Sequence, residues 1–365
     1  MDPKLVVNVS SVSFFLLHLA CVAVFWVRFS WWALGLGVLL YVLRMFAVTA
    51  GYHRYFSHRT YRMGRVPQFL MAFLAQTSAQ KGVLWWAAHH RNHHRYSDTE
   101  KDIHSPVRKG FWWSHVGWIL VGTYDAYEPR DIADFGKFPE LRFLDRHHWI
   151  CPWTLGFASW GLGVLTGVGG WTMLVWGFVV STVLLWHGTF TINSLCHVWG
   201  SRRFETSDTS RNNLVLSLIT LGEGWHNNHH HYQASCPQGL RWWEIDPTYW
   251  TLKALSWIRI VRDIKTYPAA VRKAAKARVE VALEQMGAQV EASLDMARQH
   301  LEDAKARLAE AQARVAEASA QAVAGAKDRL EEALARLAEA KARFAEAQAA
   351  FEALASSQTQ APAQA

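Results

Sequence analysis

Two short runs of the chain each place three histidines within five residues. Residues 90–94 read HRNHH, and residues 226–230 read HNNHH. In both runs the histidines stand at i, i+3 and i+4, positions that share one face of a helix. A third run, HRYFSH, adds His53 and His58. Imidazole nitrogens grouped in this way are typical ligands of iron, zinc, copper or nickel.

Nine histidines and one asparagine form the candidate ligand set. Asn193 and His197, in the run NSLCH, are spaced i, i+4 and join the three histidine runs. The complete set is His53, His58, His90, His93, His94, His197, His226, His229 and His230, with Asn193 beside them. One first-row ion takes about four to six donors, so nine imidazoles predict two ions with four or five histidines each. Our hypothesis is that neutral ligands leave positive charge on such ions, which helps them bind and reduce dioxygen.

Several carboxylates lie next to these runs in the sequence. Asp98, Glu100 and Asp102 follow the HRNHH run, and Glu223 precedes the HNNHH run. A metal-bound imidazole usually donates its other ring N–H to a carboxylate or a carbonyl. We therefore predict that these four residues orient the ligands; solvated loop carboxylates are the alternative.

Four apolar stretches predict helices that cross a membrane. A span needs roughly 20 mostly apolar residues, and all 20 Trp of the chain lie in the same part of the sequence, residues 1–267. Buried helices of a large soluble core are the alternative. The four predicted spans are residues 12–27, 31–51, 153–169 and 171–190.

The distribution of Lys and Arg predicts which side of the membrane each loop occupies. The connection after the second span and the chain after residue 200 are rich in both, and positive residues favour the cytoplasmic side. We expect both termini and the ligand set to be cytoplasmic, in a helical cap formed by residues 52–150 and 191–267. The formal net charge of +8 fits loops against anionic lipid head groups. Nucleic acid is a weaker partner, because the basic residues are spread among Trp and apolar residues.

Taken together, these motifs resemble the membrane fatty acyl desaturases of the stearoyl-CoA (acyl-CoA) desaturase type, as found in bacteria. The resemblance extends over about residues 10–265 with the motifs in family order. The residues that carry it are GYHRYFSHRTY (51–61), HRNHHRYSDTEKDIHSP (90–106), GFWWSHVGWIL (110–120), NSLCHVWG (193–200), GEGWHNNHH (222–230) and DPTYW (246–250).

The resemblance implies a fold, a cofactor and a reaction. The fold would be an all-α integral membrane protein of the cytoplasmic membrane, with four transmembrane helices under the cytosolic cap. The nine histidines would hold two iron ions (Fe2+/Fe3+), and Asn193 would hold a water on one of them. The implied enzyme uses O2 to place a cis double bond, for which Δ9 is the candidate position, in a saturated fatty acyl chain. Two electrons would come from a separate donor, a ferredoxin, a rubredoxin or a cytochrome b5-like protein with its reductase.

Selectivity in such a reaction has to come from how the acyl chain is held. An unactivated methylene has no acidic proton, so the protein must position the chain against a metal–oxygen oxidant. We predict a narrow apolar tunnel with Trp86 in its wall. The resemblance implies a CoA thioester as substrate. Animal members carry an Arg-Asp pair where this chain has Ala88 and His89, which keeps acyl carrier protein and glycerolipid as alternative carriers. A related hydroxylase or fatty-acid decarboxylase is the enzyme alternative, and a membrane metal-binding protein the non-enzyme alternative.

The composition of the chain changes after residue 267. Residues 268–355 are rich in Ala, Glu, Lys, Arg and Leu, and apolar residues recur at alternating steps of four and three. The phase of this pattern breaks around Gly325. We predict either a helical hairpin or one longer helix that pairs with another chain, with a disordered end at residues 356–365. The tail is also a candidate dock for the electron donor, since the sequence has no HPGG run and no CxxC pair.

Overall fold

The computed structural model describes residues 9–358, except for the side chains of residues 9, 10, 279, 282 and 350–358. The chain divides into two compact units, Met1–Val279 and Glu280–Ala365. The first eight residues and the last seven, which include most of the predicted disordered end, lie outside the described residues.

The first unit is built almost entirely of helices. Its first half contains α1 (Val9–Ala20), α2 (Trp31–Phe46), α3 (Arg65–Gln76), α4 (Val83–Tyr96), α5 (Pro106–Lys109), α6 (Phe111–His115), α7 (Ala133–Gly136) and α8 (Pro139–Arg146). Its second half contains α9 (Ile150–Leu165), α10 (Gly170–Met173), α11 (Ser181–Asn193), α12 (Leu195–Val198), α13 (Leu214–Ile219), α14 (His226–His231) and α15 (Pro247–Trp257). Four 3-10 helices add Cys21–Phe25, Gly117–Ile119, Gly122–Tyr124 and Pro129–Ile132.

Two long helices among the described residues are apolar enough to cross a membrane. They are Trp31–Ser57 and Gly170–Val198, while Ser11–Phe25 and Ile150–Leu165 are apolar but shorter. The structure thus contains two of the four predicted spans at full length, and the other two fall short of the roughly 20 residues that a span needs.

The second predicted span is longer than the sequence suggested. It continues from α2 through a π-helical segment, Ala47–Ser57, so His53 belongs to the helix itself and does not follow it. The fourth span also continues, through the π-helical segment Leu174–Val180 and α11 into α12, and ends at Val198. The sequence missed both extensions because polar residues close each apolar run.

Arg44 shows how the apolar helix α2 accommodates one buried charge. Its guanidinium donates to the Ser181 and Thr182 hydroxyls of α11, at 2.5 and 2.6 Å, and to the Thr77 carbonyl at 3.4 Å. A cation inside an apolar layer is tolerated when such partners surround it. The contact also joins α2 to α11.

A tight turn joins α9 to α10. Gly169 has φ of 111°, a backbone conformation that residues with a Cβ rarely adopt. A Cβ at Gly163 would lie 2.4 Å from the Gly169 carbonyl oxygen, so the close contact of the two helices requires this glycine as well.

A small core supports the cap residues. The strands β1 (Arg62–Met63) and β2 (Val261–Arg262) pair antiparallel and tie the segment after α2 to the end of the first unit. Tyr52, Phe56 and Leu252 are fully buried in this core.

The second unit continues one helix that begins in the first, α16 (Ala269–Gln358). The hairpin alternative is therefore wrong, because the backbone stays helical through Gly325. A single glycine costs only about 1 kcal/mol in a helix, and its neighbours are good helix formers. Residues 356–358, part of the predicted disordered end, are helical as well.

Candidate metal centre

The nine predicted histidines lie in two neighbouring groups. The five-His cluster contains His53, His58, His90, His94 and His229, and the four-His cluster contains His93, His197, His226 and His230. Within each group the potential ligand atoms all lie within 4.8 Å of one another. The two groups adjoin, since the ring centroids of His94 and His230 are 4.4 Å apart.

Two helices contribute to both clusters, and they do so in opposite ways. On α4, His90 and His94 point to the five-His cluster and His93 to the four-His cluster. On α14 the pair at i, i+4 belongs to the four-His cluster, and the residue at i+3, His229, reaches the five-His cluster. The i+3 residue is rotated by about 60° from the residue at i. This rotation explains why each HxxHH run can serve two sites.

The nitrogens of the five-His cluster converge closely. His90 Nε2 lies 2.9 Å from His58 Nε2 and 3.0 Å from His94 Nε2. His229 Nε2 lies 3.0 Å from both His53 Nε2 and His94 Nε2. Nitrogens bound at about 2.1 Å to one ion, at right angles to each other, would be about 3.0 Å apart. The observed spacings match that geometry.

Carboxylates decide which ring nitrogen of the four-His cluster is free to bind a metal. His230 Nδ1 lies 2.6 Å from Asp208 Oδ2, and His93 Nδ1 lies 3.2 Å from Asp102. A carboxylate holds the proton on Nδ1 and leaves a lone pair on Nε2. The buried Nε2 of His230 has no hydrogen-bond partner among the described residues. A metal ion would satisfy it.

Asp98 contributes to the same cluster. Its carboxylate lies 3.5 Å from His197 Nδ1, and it also accepts from the Thr209 amide and hydroxyl, at 2.7 Å each. Burial opposes its charge, but hydrogen bonds from His197 and Ser105 hold the pKa of Asp98 well below its usual range. The carboxylate is therefore an anion that can orient His197.

Glu223 supports the five-His cluster from the other side. Its carboxylate contacts His53 Nδ1 and accepts two bonds from the buried Arg54, at 2.9 and 3.0 Å. Burial opposes its charge, but His53 and Arg54 lower the pKa of Glu223 to about 2. Arg54 also donates to Asp246 at 2.9 Å. The GEGW and DPTYW motifs therefore meet at one arginine.

Three of the four predicted carboxylates contact a histidine, and Glu100 does not. Its side chain is 82% exposed and pairs with Arg108 at 3.1 Å. Asp98 and Asp102, at even spacing on either side of Glu100, turn inward, which leaves Glu100 on the solvent side of the loop. The prediction that Glu100 orients a ligand is wrong.

Five histidines of the two clusters favour their neutral form. Burial and the neighbouring imidazoles lower the pKa of His58, His90, His94, His226 and His229 well below its usual value. His93 differs from these five: burial opposes its charge, but Asp102 outweighs burial and raises the pKa. Neutral imidazole is the form that binds a metal. The donor set, the spacing and the unpartnered nitrogen all fit a pair of transition-metal ions.

The two asparagines of the HNNHH run hold α14 in place. The Asn227 carbonyl oxygen accepts from the Arg203 and Phe204 amides at 2.8 Å. Asn228 bonds to Asn212 at 2.9 Å and to Glu244 at 3.1 Å. Both side chains are fully buried. These bonds position a helix of only six residues that has no side-chain cap.

A large cavity reaches the five-His cluster. Its volume is about 1200 Å³, and Trp86 lies in its wall, stacked on His90 with ring centroids 4.9 Å apart. Asn193 lines the same cavity as His90. From there it extends to Phe157 and Trp171, between helices whose outer side chains are exposed and apolar. The lining is mostly aromatic and aliphatic, as expected for a site that holds an acyl chain.

Comparison with known proteins identifies the family that has this arrangement. The profile of the fatty acid desaturase family matches residues 29–256. The chain belongs to the fatty acid desaturase family. Its members are oxidoreductases that act on fatty acyl chains, and the resemblance inferred from the sequence is confirmed.

The desaturase is similar to relatives with different named substrates. It is 38% identical to the sn-1 stearoyl-lipid 9-desaturase of Synechocystis sp., over 73% of this chain and 83% of the relative. It is 37% identical to Delta-9 acyl-lipid desaturase 2 of Arabidopsis thaliana, over 72% and 84%. It is also 35% identical to Acyl-CoA 5-desaturase AL21 of Anemone leveillei, over 70% and 78%.

Three polar features of the desaturase escaped the sequence reasoning. Asp208 lies in a loop far from any histidine run. Asn227 and Asn228 stand inside a run but were not singled out. The third feature is a chain of histidines in which His187 contacts His18 on α1 and His115 on α6, at 3.0 Å each. Most buried polar groups have a hydrogen-bond partner. These groups are recognised by their burial and their partners, which only the folded structure shows.

Proposed function

We propose that this chain is an O2-dependent di-iron desaturase that places a cis Δ9 double bond in a saturated fatty acyl chain. The proposal rests mainly on one observation: an apolar cavity of about 1200 Å³ has His90 of the five-His cluster in its wall. An acyl chain in that cavity would lie against the candidate metal centre. The relatives named as 9-desaturases support the position of the bond.

The nine histidines would hold the two ions, five around one and four around the other. Iron bound there would supply the reduction of O2 and the removal of two hydrogens from adjacent methylenes. The overall reaction balances when the saturated chain, O2, two electrons and two protons give the alkene and two waters. We assign this reaction to residues 1–267 and propose that Asn193 holds a water at the centre.

The surrounding residues have three separate tasks in this account. Asp102, Asp208 and Glu223 keep a proton on Nδ1 of their histidines, so the Nε2 lone pairs face the metal positions. Trp86 stacks on His90 and fixes the plane of that ring at the cavity wall. The aromatic lining excludes water from the methylenes that react. Selectivity follows from where the acyl chain stops in the cavity.

The substrate enters and the electrons arrive from different sides in this proposal. The exposed apolar residues Leu16 and Phe157 line the cavity as well, which supports entry of an acyl chain from the bilayer. We propose a CoA thioester as the carrier of that chain. Glycerolipid and acyl carrier protein are the alternative carriers to test. The metal centre and both termini face the cytoplasm, where a separate ferredoxin-, rubredoxin- or cytochrome b5-like donor supplies the electrons.

Lipid analysis of cells that express the chain tests the proposal. We expect acyl chains that lack two hydrogens, with the double bond located at Δ9 after chemical derivatisation. The matched controls are His93→Ala and His229→Ala, one from each cluster, at equal protein levels. Isolated membranes supplied with stearoyl-CoA, stearoyl acyl carrier protein or stearoyl glycerolipid identify the carrier.

Four results would contradict the proposal. A gain of one oxygen would make the enzyme a hydroxylase, and a terminal alkene one carbon shorter would make it a decarboxylase. Metal uptake without any change in the acyl chains would leave only a metal-binding protein. Full activity in both alanine variants would mean that the clusters do not hold the reactive metal.

A further inference from the structure

The long helix α16 carries an apolar stripe that stays on one face. Leu301, Leu308 and Val315 recur every seven residues, and Leu330, Leu337 and Phe344 do the same after the phase break. All are more than half exposed; Leu308 is 60% and Phe344 71% exposed. These side chains have no apolar partner that would cover them within the described part of the second unit.

The phase break keeps the stripe straight. On an α-helix a seven-residue repeat drifts by about 20° per heptad, so four heptads rotate the stripe by about 80°. The step from Ala322 to Leu330 is one residue longer than a heptad, and this longer step rotates the stripe back by about 80°. Leu308 and Phe344 are thus about ten full turns apart and point in the same direction. A helix that supercoils around a partner follows an unbroken heptad repeat, whereas this pattern suits a straight helix on a flat surface.

The charged residues of α16 are sorted by their angle to the stripe. Between residues 294 and 347, every Lys and Arg lies roughly 60–120° to one side or the other of the line through Leu308, at 3.6 residues per turn. Every Asp and Glu in that stretch lies about 120–180° away. The basic residues are Arg298, Lys305, Arg307, Arg314, Lys327, Arg329, Arg336, Lys341 and Arg343.

Ion pairs tie one basic row to the acidic face. Arg314, Arg336 and Arg343 each donate to the glutamate four residues before, at 2.6 Å. Exposed pairs of this kind stabilise a helix only slightly, and each one uses a single guanidinium nitrogen of its arginine. The polar face is thus acidic at its back and cationic at both edges of the stripe.

We propose that α16 lies along the surface of a bilayer that contains anionic lipid. The Leu and Phe side chains would enter the boundary between head groups and acyl chains, and the two basic rows would meet the anionic head groups. This arrangement is typical of interfacial amphipathic helices. Alanine fills much of the stripe, so the apolar contribution is small and binding depends on the anionic charge.

A second copy of the chain fits this face less well. Two α16 helices that joined their stripes would place basic rows against basic rows, in a parallel or an antiparallel orientation, because both edges are cationic. Like charges along the edges of a coiled coil oppose pairing. Charge complementarity therefore favours an anionic lipid surface, and the proposal is independent of the reaction proposed above.

Fluorescence of the full-length protein in vesicles tests the proposal. A polarity-sensitive dye is attached to Leu308→Cys and, separately, to Phe344→Cys, with the parent protein labelled in parallel to correct for the native cysteines. The matched controls are Ala306→Cys and Ala342→Cys, each two residues away and on the opposite face. In vesicles of phosphatidylcholine and phosphatidylglycerol, we expect the dye at positions 308 and 344 to emit more strongly than the dye at the two control positions. The difference should be small in phosphatidylcholine alone and should be removed by high salt.

Two charge variants separate lipid binding from helix stability. The variant Arg314→Gln, Arg336→Gln, Arg343→Gln and the variant Glu310→Gln, Glu332→Gln, Glu339→Gln break the same three ion pairs. At the known contribution of a basic residue near an anionic surface, the arginine variant should weaken the association on the order of 100-fold. The glutamate variant should retain it.

Three outcomes would overturn the proposal. The first is equal emission from the dye on both faces in anionic vesicles. The second is an equal response of the two charge variants. The third is emission that rises with the ratio of protein to lipid and does not depend on the charge of the lipid. That result would identify a second copy of the chain as the occupant of this face.

Discussion

The four-His and five-His clusters differ in what stands behind their imidazoles. Three histidines of the four-His cluster have a carboxylate at Nδ1: His93, His197 and His230. In the five-His cluster only His53 has one among the described residues, Glu223. Anionic partners raise the basicity of a metal-bound imidazole. From this comparison we expect the four-His cluster to hold a metal ion more firmly, and the five-His cluster, which adjoins the cavity, to hold an ion nearer to an acyl chain.

The largest expected effect comes from removing a ligand from either cluster. We expect His226→Ala and His229→Ala, which lie on the same short helix, each to abolish desaturation and to lower the iron content from about two ions toward one. Iron analysis of the purified proteins, together with the acyl-chain profile, measures both effects. If one variant lost both ions and the other none, the division into two clusters would be wrong.

Removing a carboxylate should have a smaller and unequal effect. Loss of an outer partner typically costs 10–100-fold in metal affinity. We expect the Glu223→Gln loss to lie near the upper end, because Glu223 is the one carboxylate that contacts the five-His cluster within the described residues. The Asp208→Asn loss should lie nearer the lower end, because Asp98 and Asp102 remain. Chelator competition measures the affinities. The control is Glu100→Gln, which should match the parent protein, and equal losses in Glu223→Gln and Asp208→Asn would contradict the contrast.

Acidification should destabilise the metal-free protein. The pKa of His58, His90 and His94 is lowered in the folded state, and in the unfolded chain it is about 6.5. The unfolded chain therefore binds more protons as the pH falls below about 6.5, and the free energy of unfolding decreases. His93, whose pKa is raised, contributes in the opposite direction but is outnumbered.

Unfolding in denaturant at several pH values between about 8 and 5, after chelation, measures this effect. Bound metal should enlarge the loss at low pH, because protons compete for the ring nitrogens. A metal-free protein that becomes more stable as the pH falls from 7 to 5 would show that the histidines are not held neutral.

The smallest effect is expected for histidines outside the clusters whose ring nitrogens lie as close together as those of the clusters. His187 contacts His18 and His115 at 3.0 Å, but its neighbours form a chain and do not converge on one point. We expect His187→Leu to cost only about 0.6–2 kcal/mol of stability, the usual value of a hydrogen bond between such helices, and to leave the iron content unchanged. Loss of iron in this variant would mean that His187 belongs to the metal centre, and that the contrast between the chain of histidines and the two clusters is wrong.

The sequence predicted which histidines come together more completely than it predicted the elements that carry them. All nine histidines come together, as two groups of five and four. Their spacing in the sequence predicts which of them share a helix face, because that property depends only on local structure. Which histidine joins which group depends on how α4 and α14 face each other, and that is a tertiary property. Asp208 could not be predicted for the same reason.

The lengths of the helices were also only partly predictable. The apolar runs located all four helices, but π-helical segments and polar residues extended two of them beyond the apolar part. For the tail, the phase break and Gly325 favour a turn and so allow a hairpin, beside the alternative of one longer helix that pairs with another chain. The structure shows one continuous helix instead of a turn. On that straight helix, the phase break returns the apolar stripe to its original angle.

Anomalous X-ray scattering at the iron edge, from crystals of protein produced in iron-supplemented cells, tests the central claim most directly. We predict two separate iron peaks, one among the Nε2 atoms of the five-His cluster and one among those of the four-His cluster. A single peak, or zinc at both positions in protein that still desaturates acyl chains, would contradict the account.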